Sequence, residues 1–426
     1  MRNKRRKHPM FSLILLAFCF FPLLMPLIAC GGQENAFSPD APQEILLPAA
    51  TPSPSPAPSP EPVTSAPTAT PAPEPTEEDY LSLYIQNMNA DEKIGQLVMF
   101  GFEDNRAASL AFAAFIKEYS LGNLFLCSPN IVSGMADGGF ARCKELTASL
   151  EEINPGKIPF LISIDEEGGT VTRFGWRPKP PTAASLGRRN DPDAARELFK
   201  NIGEGLLSAG IHMNLAPCLD VTKAPRSSWL KNRIFSGDEQ IVSTLGIACI
   251  EGLQGIGCMS VVKHFPGHGA TSKNSHKGTP LVRKSLDELL SYELIPFQSA
   301  IDAGVDGVMI AHISYPNIDG KNIASMSEVI IGQLLRERMG FDGLVLSDDF
   351  LMGGLVSRYA PEEAAVRFIL AGGDIILCGP RLNMQKQIMT ALRAAVENGT
   401  ISLDRLDQSV ARILRAKMKY LSFVPR

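Results

Sequence analysis

Short apolar runs recur along the chain between residues 96 and 378, and each is separated from the next by a stretch with helical spacing. Eight runs read as strands: 96–102, 122–127, 158–165, 212–220, 259–264, 307–312, 343–348 and 374–378. Their near-continuous apolar character suits strands covered on both faces, as in a parallel sheet under helices. Ser285-Leu286-Asp287-Glu288 has the form of a capping box opening one helix. Leu406, Val410, Ile413 and Leu414 mark the apolar stripe of a last amphipathic helix. Eight alternations over about 340 residues predict an α/β fold, a single (β/α)8 TIM-type barrel. The competing fold is an open doubly wound sheet, but no G-x-G-x-x-G follows the first strand.

Two segments stand outside this alternation. Arg2, Lys4, Arg5, Arg6 and Lys7 precede an apolar run over 10–29, which ends Leu27-Ile28-Ala29-Cys30 before Gly31-Gly32. That ending resembles the lipobox of bacterial lipoproteins, in which the cysteine becomes the lipidated N-terminus, so Cys30 is the expected lipidation site. The alternative is an uncleaved anchor, because the run is nearly long enough to span a bilayer. Both readings hold the rest of the chain outside the cytoplasm, tethered to the cell membrane. Residues 48–75 contain 11 prolines in 28 positions. Such a segment builds no core and favours polyproline geometry. At about 3.1 Å per residue it spans roughly 80–90 Å. The expected organisation is signal and lipobox over 1–30, a disordered linker over 31–77 and the barrel over 78–426.

In a barrel the working residues sit at the C-terminal ends of strands. The third run ends Asp165-Glu166-Glu167-Gly168-Gly169, and the fourth ends Cys218-Leu219-Asp220. The fifth continues Lys263-His264-Phe265-Pro266-Gly267-His268-Gly269. The sixth ends in His312, and the seventh in Asp348-Asp349. Five strand ends carrying polar groups to one face predict a pocket for a hydroxyl-rich ligand.

Composition narrows the class further. The net charge is −4, with no basic block after residue 7, so nucleic acid is not an expected partner. Beyond Cys19 and Cys30, six cysteines remain: Cys127, Cys143, Cys218, Cys249, Cys258 and Cys378. None forms a C-x-x-C pair, which speaks against zinc, and several fall in apolar strand-like runs as small hydrophobes. One disulfide is compatible with an oxidising compartment. His264 and His268 are four apart, but Pro266-Gly267 breaks the helix that would bring them together on a metal. No metal or other cofactor is expected, and nothing points beyond a monomer. His212 and His312 read equally as core or site histidines.

The run K-H-F-P-G-H-G over 263–269, with Ser275-His276 downstream, resembles the β-N-acetylglucosaminidase branch of family 3 glycoside hydrolases. So do I-D-E-E-G-G-T-V-T-R-F over 164–174, L-S-D-D-F-L-M over 346–352 and N-M-N-A-D-E-K-I-G-Q-L-V-M over 87–99. The resemblance covers residues 80–420. It implies a retaining enzyme that removes terminal β-N-acetylglucosamine from cell-wall fragments or chitin-like oligosaccharides. Asp348 aligns with the nucleophile that forms a covalent glycosyl-enzyme; its plainer reading is a helix N-cap. His276 aligns with a general acid/base carried on a loop, 271–278, that has little to bury. The alternative for His276 is a solvated loop histidine.

Asp165, Lys263, His264 and, in a less similar context, Arg233 align with sugar-binding residues. His268 and Ser275 are expected to shape the loop. Where the family has Asp two residues before the histidine, this chain has Asn274, which hydrogen-bonds without charge and leaves His276 a weaker base. Other branches take their acid/base from a following domain, and 48 residues after Cys378 are too few for one. Other β-glycoside specificities, phosphorolysis, and a sugar-binding lipoprotein without catalysis remain the alternatives.

Overall fold

The structure, a computed structural model, describes residues 76–224 and 229–425. The expected signal, the expected lipobox with Cys30 and the proline-rich segment lie outside the described residues. All eight expected strands form: β1 Val98–Gly101, β2 Asn123–Leu126, β3 Leu161–Ile164, β4 Met213–Asn214, β5 Met259–Phe265, β6 Gly307–Ile310, β7 Leu344–Ser347 and β8 Ile376–Cys378. They pair in the order β7-β6-β5-β4-β3-β2-β1-β8, all in parallel. A bridge between Leu346 and Ile375, with Ser347 N–H donating to Ile375 O at 3.0 Å, joins the two ends into a nearly closed barrel.

The strands are shorter than the apolar runs that announce them. Of 212–220, only Met213 and Asn214 pair as a strand. Beyond them the chain follows β5 through an isolated bridge of Cys218 with Lys263. Leu215, Ala216, Cys218 and Leu219 stay buried all the same. An apolar run therefore reports burial, and burial extends past the paired residues into the rim.

Helices fill the outer layer. The helix Ala90–Gln96 opens with a capping box of Asn89 and Glu92, and Leu286–Leu290 opens with the expected box of Ser285 and Glu288. The helices Pro192–Ser208 and Glu239–Gln254 approach so closely that a Cβ on Gly252 would lie 2.3 Å from Arg196 O. The last helix, Leu403–Leu421, buries Leu406, Val410, Ile413 and Leu414, each worth roughly 1.5–3 kcal/mol on leaving water. From the same helix Lys417 reaches beneath the barrel, and its Nζ donates to Gln96 Oε1 and Gly122 O at 2.7 Å each. Burial pushes its pKa down to about 7.

The six cysteines expected in the barrel are all free thiols, five of them buried, so no disulfide forms among the described residues. No described helix is long and apolar enough to cross a membrane.

Candidate active site

The strand ends converge on a cavity of about 360 Å³. Asp165, Arg233, Lys263, His264, His276 and Asp348 all line it. The structure thus brings together both expected catalytic residues and all four expected sugar-binding residues. A second cavity, of about 310 Å³, lies at the opposite end, among residues that precede β1, β2 and β3. Its charged lining consists of Glu92 and Lys157, so the chemistry belongs to the first.

The floor of the cavity is an ion-paired lattice. Lys263 Nζ donates to Asp165 Oδ1 at 2.6 Å and pairs with Glu167 Oε1 at 2.7 Å. Arg233 grips Glu167 through Nε at 2.8 Å and Nη2 at 2.7 Å, a bidentate fit that fixes both partners. Burial works against the charge on Glu167, but Arg233 and Lys263 outweigh it and hold the carboxyl well below the usual carboxylate range. Burial likewise opposes the Lys263 ammonium, and Asp165 and Glu167 keep it charged.

His264 is oriented from both sides. Nδ1 lies 2.6 Å from Asp220 Oδ2, and Nε2 lies 3.2 Å from Arg233 Nη2. A guanidinium only donates, so Nε2 accepts and Nδ1 carries the proton towards Asp220. Asp220 also accepts from the backbone N–H groups of His268 at 2.6 Å and Gly269 at 3.3 Å. Burial disfavours its charge, yet His264 above all, with His268 and the Cys218 thiol, brings its pKa down to about 2. Cys218 Sγ completes the cluster 3.2 Å from Asp220 Oδ2. Among the described residues, Cys218, Asp220 and His264 form a group whose ligand-type atoms lie within 4.8 Å of one another; here those atoms satisfy one another.

Asp348 follows β7 and is 8% exposed. It caps no helix: the next one, Gly353–Val356, has Met352 in the cap position, which removes the N-cap reading. Burial penalises its ionisation, but the neighbouring His264 and His312 more than compensate and keep its pKa below normal. The adjacent Asp349 goes the other way. Its Oδ1 accepts from Leu351 N–H and Gly379 N–H, each at 2.9 Å, and burial pushes its pKa up to about 6. Environment separates the two neighbours: Asp348 is the ionised, cavity-facing carboxylate, and Asp349 ties the ends of β7 and β8 together.

The loop that carries His276 is docked against the segment after β7. Contrary to the expectation of little to bury, Ser275 is fully buried, and its Oγ lies 2.7 Å from His268 Nε2. Burial lowers the His268 pKa to about 4, so this ring is neutral near pH 7. Gly354 N–H donates to Ser275 O at 2.7 Å and Gly353 N–H to His276 O at 3.3 Å. A Cβ on Gly353 would lie 2.7 Å from His276 O, so only glycine permits this approach. Asn274 departs from its expected part. Its Oδ1 accepts from the backbone N–H of His276 at 2.9 Å, so it orients the chain and leaves the imidazole alone.

The ambiguous histidines divide. His212 is half-buried, its pKa lowered to about 4 by desolvation and by nearby Lys417, which places it at the base of the barrel. His312 is buried beside Asp348, with Nδ1 2.8 Å from Ser325 Oγ. Sequence reasoning missed Glu167, Arg173 and Trp229 as cavity residues. Glu167 and Arg173 sat inside quoted motifs, whereas nothing in the spacing around Trp229 marked it.

The model of the glycosyl hydrolase family 3 N-terminal domain matches residues 89–416. The chain belongs to glycosyl hydrolase family 3. Within the family it is 31% identical over 334 residues to "Beta-hexosaminidase LpqI" of Mycobacterium tuberculosis, a match covering 76% of this chain and 82% of the relative. It is 29% identical to "Beta-hexosaminidase A" of Pseudoalteromonas piscicida, over 78% of this chain but only 61% of that longer protein. A solved family 3 β-N-acetylglucosaminidase from Paenibacillus sp. str. FPU-7 superposes with a TM-score of 0.74 at 38% identity, covering 78% of this chain and 63% of that one. The β-N-acetylhexosaminidase of Beutenbergia cavernae gives 0.71 at 28% identity, covering 78% and 99%.

Proposed function

We propose that this family 3 member is a retaining, exo-acting β-N-acetylglucosaminidase. Its substrates are terminal non-reducing N-acetylglucosaminides of cell-wall fragments or chitin-like oligosaccharides. The observation that carries this reading is the placing of Asp348 and His276 on one cavity. Asp348, held ionised by histidines, attacks the anomeric carbon as His276 gives a proton to the departing oxygen. Water, deprotonated by His276, then releases the sugar from Asp348. Asp165 and Lys263 at the cavity floor offer an acceptor and a donor to the sugar hydroxyls, in a site where such bonds strengthen as charge develops. The names of the relatives support the same substrate class.

The test is hydrolysis of a nitrophenyl β-N-acetylglucosaminide by a fragment starting near Glu78, set beside glucoside and xyloside, with and without phosphate. A fluorinated N-acetylglucosaminyl donor should add one sugar mass to the peptide bearing Asp348. Asp348→Asn should lose both turnover and label; a label elsewhere, or faster cleavage of another glycoside, overturns the reading.

We also propose that Cys30 is lipidated and holds the barrel outside the cell on its proline-rich spacer. The support is the sequence over 2–32 and 48–75. Palmitate labelling of the full chain that survives Cys30→Ala would count against it.

A further inference from the structure

The departure at Asn274 leaves the proposed acid/base with an unusual environment. Asn274 bonds the backbone of His276, and among the described residues no hydrogen bond reaches the His276 ring. The ring instead meets Trp229 nearly at right angles, with centroids 5.7 Å apart and planes at 87°.

Trp229 is itself braced. The Arg233 guanidinium lies 5.6 Å from its ring centroid, and Arg233 is locked to Glu167 by two bonds. His268 packs edge-on to the same indole, with centroids 5.0 Å apart and planes at 69°. A rigid ion pair at the cavity floor is thereby linked through Trp229 to the His276 ring. His268, through Ser275, holds the neighbouring backbone.

We propose that Trp229 is the positioning residue for the His276 imidazole, doing by aromatic contact what a carboxylate partner would do by hydrogen bonding. The physical difference matters. A carboxylate fixes the ring and also occupies one nitrogen. A perpendicular aromatic pair fixes the ring plane with a favourable contact and leaves both nitrogens free to exchange protons with the leaving oxygen and with water. This inference rests on the glycosidase reading.

The experiment separates proton transfer from binding. kcat/KM is measured for wild type, Trp229→Ala, Trp229→Leu and Trp229→Phe on two β-N-acetylglucosaminides. One has a dinitrophenyl leaving group, which departs without a proton; the other is the β-linked disaccharide, whose leaving sugar needs one. Trp229→Ala and Trp229→Leu should lose about tenfold on the disaccharide and less than about twofold on the dinitrophenyl substrate. Trp229→Phe should recover to within about threefold of wild type on the disaccharide. Equal losses on both substrates would make Trp229 a sugar-binding or purely structural residue and overturn the proposal, as would no loss on either. A melting curve for each variant identifies one that fails to fold, and whichever of Trp229→Ala and Trp229→Leu folds then decides through the same ratio of substrates. A wild type inactive on both substrates defeats the glycosidase reading, a result distinct from any pattern among the variants.

Discussion

The hydroxyl of Ser275 meets Nε2 of His268 at 2.7 Å, with both residues fully buried. This bond fastens the loop bearing His276 to the chain leaving β5. Ser275→Ala removes one partner of a buried hydrogen bond, at about 1–3 kcal/mol. We expect kcat to fall about tenfold while KM stays within about twofold, since the loop position and not the sugar contacts changes. Steady-state kinetics on a nitrophenyl N-acetylglucosaminide checks this; an unchanged kcat would show that the fastening is dispensable.

Gly353 allows the same loop to lie against the segment after β7. Gly353→Ala puts a methyl group 2.7 Å from His276 O, which forces the loop away. A shift on the order of 1 Å at a catalytic group costs up to about 100-fold in rate. Activity should fall far more than melting temperature does, and a variant that matches wild type in turnover would contradict the docking.

Asp220 is the hub of the second set of contacts. Replacing it with Asn leaves His264 and two backbone N–H groups facing an uncharged side chain, and should destabilise the fold by about 1–3 kcal/mol. Its folded pKa of about 2 lies below its ordinary 3.8. The stabilisation is therefore complete above the ordinary value and is lost as pH falls towards 2. Urea unfolding at pH 5 and pH 3 should show a steeper loss for wild type than for Asp220→Asn.

Lys417 gives a dependence of the same sign in a higher pH window. Its pKa is about 7 in the fold against 10.5 unperturbed, so between these values the unfolded chain binds more protons and stability rises with pH. Lys417→Met has no such group to titrate. Wild type should gain stability relative to the variant from pH 7 to pH 9.5, and a constant difference in urea midpoints would refute the burial argument.

Asn274→Asp places a negative charge two residues before His276. A nearby anion favours the protonated imidazole, so the alkaline limb of kcat/KM should move up by roughly 0.5–1 pH unit. An unmoved limb would mean that residue 274 addresses only the backbone.

The alternation of apolar runs with helical stretches was sufficient for the barrel, because burial leaves a periodic trace that needs no knowledge of partners. The strand ends identified Asp165, Lys263, His264 and Asp348 for the same reason: a polar group closing an apolar run is visible in one dimension. The extent of each strand was not visible. Leu215 to Leu219 are as buried as paired residues but are paired only at isolated points.

What the tertiary structure alone decided is how the polar groups divide the work. Asp348 and Asp349 are adjacent and chemically alike, yet histidines surround one and backbone amides hold the other. Glu167 became half of an ion pair with a residue 66 positions away, and Trp229 reached His276 across a gap of 47 residues. A linear pattern records whether a residue prefers water or the interior. Which charge, ring or amide it meets there is set by the closing of the barrel, and the chemistry follows from that meeting.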